Sequence, residues 1–324
     1  MLLHRFAALV AASTLLLIFA GGLVTSTGSG LSVPDWPTTY GWNMFAFPLD
    51  KMVGGIFYEH GHRLIASTVG FFIVILAAWL WRSEPRRWVR RLGYLALGAV
   101  VSQGILGGIT VLWFLPEPIS IAHAGLAQIV LCITVAIALV TSRGWHAEYR
   151  NPAGASTPDD IWLQRIARVT TAFIYVQILI GATMRHTDAG LAIPDFPLTF
   201  GHLLPTHWDP KIAIHFAHRI GALVVAGHII AVSSRVFRHH WQRPELQRPA
   251  VLLLILLGLQ IALGAYVVLT QKQFIINSLH VVTGAMVLAT SLLLTLRAHR
   301  HWFETGAASV TRKAPALQPA GANA

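Results

Sequence analysis

Charge is scarce in this chain. Only 11% of its 324 residues are Asp, Glu, Lys or Arg, where a soluble globular domain carries about 25%. That shortfall excludes an ordinary soluble fold. Acidic residues are the rarer sign, 13 against 24 basic ones, for a formal net charge of +11. Cysteine is almost missing: Cys132 stands alone, which excludes an intramolecular disulfide. What fills the chain instead is apolar, 55% of all residues. The apolar residues gather in eight runs, near 6–25, 61–81, 92–113, 120–141, 167–185, 212–234, 250–270 and 277–297. Each is about 20 residues long, the length a helix needs to cross a bilayer core. The pattern predicts an all-α integral membrane protein with eight transmembrane helices.

A large positive charge invites a nucleic-acid reading, but its distribution excludes one. Eighteen of the 24 basic residues, among them Arg5, Arg86, Arg91, Arg150, Arg238 and Arg300, precede the first run, follow the last, or lie in or beside the second, fourth and sixth connections. All of these fall on one side if the helices alternate. By the positive-inside rule both termini are cytoplasmic, so the basic excess sets topology. The first run has the outline of a signal peptide. The fifth run and its loop copy it, however, and a copied structural element is expected to be kept.

The copy belongs to a longer internal repeat. Gly28-Ser-Gly-Leu-Ser-Val-Pro-Asp-Trp-Pro-Thr-Thr-Tyr-Gly41 recurs as Asp188-Ala-Gly-Leu-Ala-Ile-Pro-Asp-Phe-Pro-Leu-Thr-Phe-Gly201. His62-Arg63 recurs as His218-Arg219, Gln103 to Gly107 as Gln260 to Gly264, and His123 as His280. The order is kept and the spacing is nearly constant. The chain therefore reads as two pseudo-symmetric four-helix bundles, residues 1–145 and 165–302. A cytoplasmic linker, 146–164, joins them, and a disordered tail, 303–324, follows. With an even number of helices in each half, the repeats are parallel.

Ionisable residues inside membrane helices are costly and mark function. His62, His123, His218 and His280 each lie at the start of an even-numbered helix, within about a turn, which puts all four at one depth near the outer face. Facing imidazoles in a four-helix bundle suit haem iron, which takes axial ligands on both sides of its plane. Zinc fits less well, because two histidines per half lack the third and fourth ligands. His60 falls outside the pattern, and His186, His202 and His207 read as solvated loop or helix-end residues. Arg63 and Arg219 follow candidate ligands and are expected to hold haem propionates, or else to snorkel to the interface.

The halves differ in one respect. Glu59 stands one helical turn before His62, whereas the aligned stretch at His215 and Phe216 has no acid. An acid in one half only suggests chemistry there and electron storage in the other. The plainer alternative is a helix-start carboxylate favourable to the helix dipole.

These residues resemble the haem A synthase family, the cytochrome oxidase assembly proteins that convert haem O to haem A. The resemblance rests on Thr27-Gly-Ser-Gly-Leu-Ser-Val-Pro-Asp-Trp-Pro37, Glu59-His-Gly-His-Arg63, His123-Ala-Gly-Leu126, His218-Arg219 and His280. It spans about residues 6–300. It implies haem b in the C-terminal half with His218 and His280 as axial ligands, and substrate haem O in the N-terminal half near His62 and His123. Glu59 is then important for oxidising one methyl group of haem O to an aldehyde. It also implies a haem O synthase and an electron donor such as a ferredoxin as partners, and the bacterial plasma membrane as location. Some relatives carry a cysteine pair in the first outer loop; residues 31–58 here have none, which excludes any mechanism needing that pair. The alternative is a di-haem electron-transfer protein of bis-histidine type. It explains the four histidines but not Glu59.

Overall fold

The computed structural model describes residues 1–146, 160–300 and 303. Eight helices among them are long and apolar enough to cross a membrane: α1 (Leu2–Ser26), α2 (Gly55–Ser83), α3 (Arg87–Leu112), α4 (Glu117–Val140), α6 (Ile161–His186), α7 (Pro210–His239), α8 (Pro244–Leu269) and α9 (Phe274–Ala298). A short helix, α5 (Arg143–His146), follows α4. Helix is the expected answer to an apolar solvent, because it satisfies every backbone N–H and C=O within one segment.

The helices outrun the apolar runs that announce them. Helix α2 starts at Gly55 rather than near 61, and α7 continues to His239 rather than 234. Backbone hydrogen bonding carries on through polar residues beyond the hydrocarbon, and side-chain caps set the ends. Asp209 accepts from Ile212 N–H at 2.8 Å and opens α7. Asp160 accepts from Leu163 N–H at 2.9 Å and opens α6. Of the expected connection 146–164, residues 147–159 lie outside the described ones, and Ile161 to Gln164 already form the first turn of α6. The expected tail 303–324 lies outside them as well, except Phe303, whose ring meets Trp88 and Trp145.

Packing repeats between the two quartets. Helices α1 to α4 touch in sequence and α4 returns to α1; α6 to α9 do the same and α9 returns to α6. Each quartet has its own core, with Val10, Ile73, Leu80 and Ile137 in the first and Ile174, Ile229, Leu253 and Leu294 in the second. The quartets meet through α1 on α9, α4 on α6 and α4 on α9, where Ile18, Leu131 and Ala285 form a small shared core. Helices α4 and α9 are thus central: 44% and 50% of their apolar windows are buried, against 17–28% in the other six.

Candidate functional site

The four histidines lie deeper than the sequence suggests. Each is six to eight residues beyond the first residue of its helix, about 9–12 Å at 1.5 Å per residue, which is two turns rather than one. Their depths still match. Each ring rests on a glycine of the helix before it. A Cβ built on Gly21 would stand 3.1 Å from His62 Cε1, on Gly107 3.3 Å from His123 Cε1, on Gly181 2.9 Å from His218 Cε1, and on Gly264 3.1 Å from His280 Cε1. Glycine gives the ring its room at all four places, most tightly at Gly181.

The imidazoles are paired and under-bonded. The His218 and His280 rings stand 6.5 Å apart, centroid to centroid, at 69°. Two imidazoles trans on one metal need about 6 Å, from two metal–nitrogen bonds of about 2 Å and two ring radii of about 1 Å. His62 lies within electrostatic range of His123. Nδ1 of His62, His123 and His280 is buried without a hydrogen-bond partner, a state that native proteins rarely leave unexplained. His218 Nδ1 lies 3.1 Å from Gln177 Nε2, and the same amide donates to the His218 carbonyl at 2.7 Å. Among the described residues no group of three or more His, Cys, Asp or Glu could hold a metal ion. Paired imidazoles without further ligands fit a haem, whose porphyrin supplies the other four donors, and do not fit zinc.

The two Pro-Asp loops cap the same end of the helices and fold alike. Asp35 accepts from Tyr40 and Gly41 N–H at 2.8 and 2.9 Å; Asp195 accepts from Phe200 and Gly201 N–H, both at 2.8 Å. Tyr40 and Phe200 both have positive φ, at 51° and 55°. The Gly201 and Phe200 N–H groups hold the Asp195 carboxyl below its ordinary pKa. For Asp35 burial pushes the pKa up, but the bonds from Gly41, Thr38 and Tyr40 outweigh it and hold it low. Trp36 lies flat on Gly108, where a Cβ would stand 2.6 Å from its ring, next to the glycine under His123.

Arg63 and Arg219 tie these loops to their helices. Arg63 Nη1 donates to the carbonyls of Asp35 and Thr38, and its Nη2 to the Val33 carbonyl and to Glu59 Oε1 at 2.7 Å. Arg219 donates to Leu198, Ile193 and Asp195 carbonyls. Both guanidinium groups therefore face loop backbone in the structure. Glu59 is 3% exposed, and its second oxygen accepts from Val33 N–H at 2.7 Å. His215 takes that place in the second half, with Nδ1 accepting from Ile193 N–H at 3.2 Å. His60 is also buried and reaches Thr39 Oγ1 at 3.0 Å.

Sequence reading named Gly107 and Gly264 only as ends of a repeat, and passed over Gly21, Gly181 and the Gln177 bond. A signal existed: Gln177 and Gly181 form a third copy of the Gln-x-x-x-Gly spacing seen at 103–107 and 260–264.

Fold and site together define a class, an all-helical membrane protein carrying two half-buried imidazole pairs suited to haem. Comparison with known proteins narrows it. Residues 4–292 match the family model described as cytochrome oxidase assembly protein, COX15-CtaA, and the chain belongs to that family. It is 28% identical over 320 residues to the heme A synthase of Geobacillus kaustophilus, covering 97% of this chain and 98% of the relative. Identity to the heme A synthase of Halalkalibacterium halodurans is 27% over 294 residues, 89% of this chain and 95% of the relative. For that of Symbiobacterium thermophilum it is 28% over 276 residues, 83% and 87%.

Proposed function

We propose that this protein is a haem A synthase, a membrane oxidoreductase that oxidises one methyl group of haem O to a formyl group. The observation that carries the reading is the pair of depth-matched histidine sites, each cleared by glycines, with a buried carboxylate beside only the first. His218 and His280 hold haem b, supported by their 6.5 Å separation. A haem bound there supplies reversible one-electron transfer. His62 and His123 hold the substrate haem O under the first loop, where Trp36 covers Gly108. Glu59 places a negative charge beside that site; it stabilises developing positive charge or accepts a proton. Arg63 and Arg219 act through the loops they tie down; the loop bonds leave Nε of Arg63, and Nε with one Nη1 hydrogen of Arg219, for a propionate.

Residues 1–145 form the substrate half and 165–302 the haem b half. The protein sits in a bacterial plasma membrane with both termini in the cytoplasm, supported by the one-sided basic residues. Haem O is too apolar to cross water unaided, so a haem O synthase hands it over within the membrane. An electron donor such as a ferredoxin serves the haem b half.

The test is haem extraction and chromatography from cells that make this protein together with haem O. Haem A, with some alcohol intermediate, is expected. Folded protein that leaves plentiful haem O unchanged would reject the reading in favour of a di-haem electron carrier.

A further inference from the structure

Gln177, Gly181 and Arg185 follow one another at four-residue intervals along α6 and so share a face. Gln177 bonds His218, and Gly181 lies under its ring. Arg185 is one turn further toward the capped end, about 6 Å at 1.5 Å per residue. Its Nη2 donates to the Gly22 carbonyl at 2.8 Å and to Ser26 Oγ at 2.6 Å. Both acceptors belong to α1 and pack on Ser278 of α9, two residues before His280: Ser26 Oγ is 3.0 Å from Ser278 Oγ, and a Cβ on Gly22 would stand 3.5 Å from Ser278 Cα. Arg185 thus stands over the His218–His280 pair at the seam of α6, α1 and α9.

Among the described residues no carboxylate forms an ion pair with Arg185. A half-buried guanidinium bonded only to neutral oxygens is costly in a membrane protein. The matching positions of the first half are Leu17, Gly21 and Thr25, so the cation belongs to one site alone. Arg219, the propionate partner expected from sequence, is turned to loop carbonyls. The Gly22 and Ser26 bonds engage only Nη2, and guanidinium takes a carboxylate through two parallel N–H bonds.

We infer that Arg185 binds a propionate carboxylate of the haem ligated by His218 and His280. The inference rests on the proposed haem b site. It gives that haem a second cationic propionate partner, beside Arg219, that its first-half counterpart lacks. Neutralising a carboxylate next to the iron favours the ferrous state, which suits a site that stores electrons for the other half.

The experiment uses purified holo-protein carrying haem b with 13C-labelled propionates. Wild type, Arg185→Gln and Arg185→Lys are compared by redox titration and by redox-difference infrared spectroscopy. Arg185→Gln is expected to keep a low-spin spectrum. Its Fe(III)/Fe(II) equilibrium should shift toward Fe(III) by roughly tenfold, a potential about 59 mV lower. The labelled carboxylate band should move to the position of a solvated carboxylate. Arg185→Lys keeps the charge but not the fork, so a near-normal potential with a displaced band is expected; it serves alone if Arg185→Gln fails to accumulate. A labelled band unchanged in the variants overturns the assignment while leaving the haem site intact. A wild type without low-spin haem, or one that keeps it after both His218 and His280 are replaced, overturns the haem b site and the role of Arg185 together.

Discussion

Gly181→Ala tests whether the glycines beneath the histidines set haem binding. The added Cβ would stand 2.9 Å from His218 Cε1 and 3.4 Å from Nδ1. Carbon atoms settle at about 3.5–4.0 Å, so the ring must retreat by about 0.6 Å. It cannot swing freely, because Gln177 lies against both its Nδ1 and the His218 carbonyl. Overfilling a packed site costs about 1–3 kcal/mol, and a tenfold change in affinity corresponds to about 1.4 kcal/mol. Haem retention should therefore weaken by about 5- to 150-fold. The helix itself should not suffer, since Ala is favoured over Gly in a helix interior by about 1 kcal/mol. Gly227→Ala is the control, because a Cβ there meets nothing within 4 Å. Gly107→Ala, with 3.3 Å of room to His123, should be milder. The assay is the haem-to-protein ratio, with the low-spin resonance reporting axial geometry. Gly181→Ala indistinguishable from Gly227→Ala in both would refute the reasoning.

Two further outcomes follow from charged residues at the opposite end. Asp160 is bound by Arg235 at 3.0 Å and by His240 at 2.8 Å. Burial pushes its pKa up, but these bonds and the cap to Leu163 outweigh it and hold it at about 2, below the ordinary 3.8. A depressed acid stabilises the fold above its unfolded pKa and loses that contribution as pH falls through the folded one. Wild type should thus lose about 1 kcal/mol, after allowance for solvent screening, between about pH 4 and pH 2. Asp160→Asn should show a shallower decline in thermal stability over that range; equal slopes would refute the assignment. Reporter fusions after Arg90 and Arg243 should read cytoplasm, and fusions after Asp50 and Lys272 the outside. Reversal at two or more would reject the topology.

The eight spans were legible because a bilayer demands one long apolar run per crossing. Their ends were less so, since Glu59, His60 and Gly61 continue α2 on backbone hydrogen bonds that hydropathy does not report. The duplicated loops were visible as words, but their geometry, with Asp35 and Asp195 each gathering two N–H groups, was not. The histidine pairs stood out through depth, a property of spacing along one helix. The glycine under each ring depends on packing between helices; the Gln-x-x-x-Gly spacing marks three of the four positions but not what lies against them. The arginines illustrate the same limit: carbonyl oxygens have no sequence signature, so Arg63 and Arg219 could not be traced to the loops they hold.

Glu59 carries two readings, and the structure supplies the means to separate them. It anchors the first loop, since Val33 N–H and Arg63 both end on its carboxylate. His215 anchors the second loop at the corresponding N–H of Ile193. Histidine can thus do the anchoring, but without a negative charge. Within the helix starts the difference is one acid: Glu59 lies among residues 55–63, whereas residues 210–219 contain no Asp or Glu. Glu59→His moves the second-half solution into the first. Its Nδ1 can accept from Val33 N–H, and Glu59→Gln can do so through its amide oxygen; each variant keeps one acceptor atom where Glu59 has two oxygens, so each weakens the bond to Arg63 at a similar cost of about 1–3 kcal/mol. If anchoring is the whole role, Glu59→His and Glu59→Gln should both make haem A nearly as well as wild type. If the charge serves the oxidation, Glu59→His should fold, keep its low-spin haem b signal and still leave haem O or a partly oxidised alcohol behind. The second outcome is expected, because a fold that can anchor this loop with histidine has retained a buried carboxylate in only one of its two copies. Haem extraction from the two variants side by side decides it, and near-normal haem A from Glu59→His would reduce Glu59 to a loop anchor.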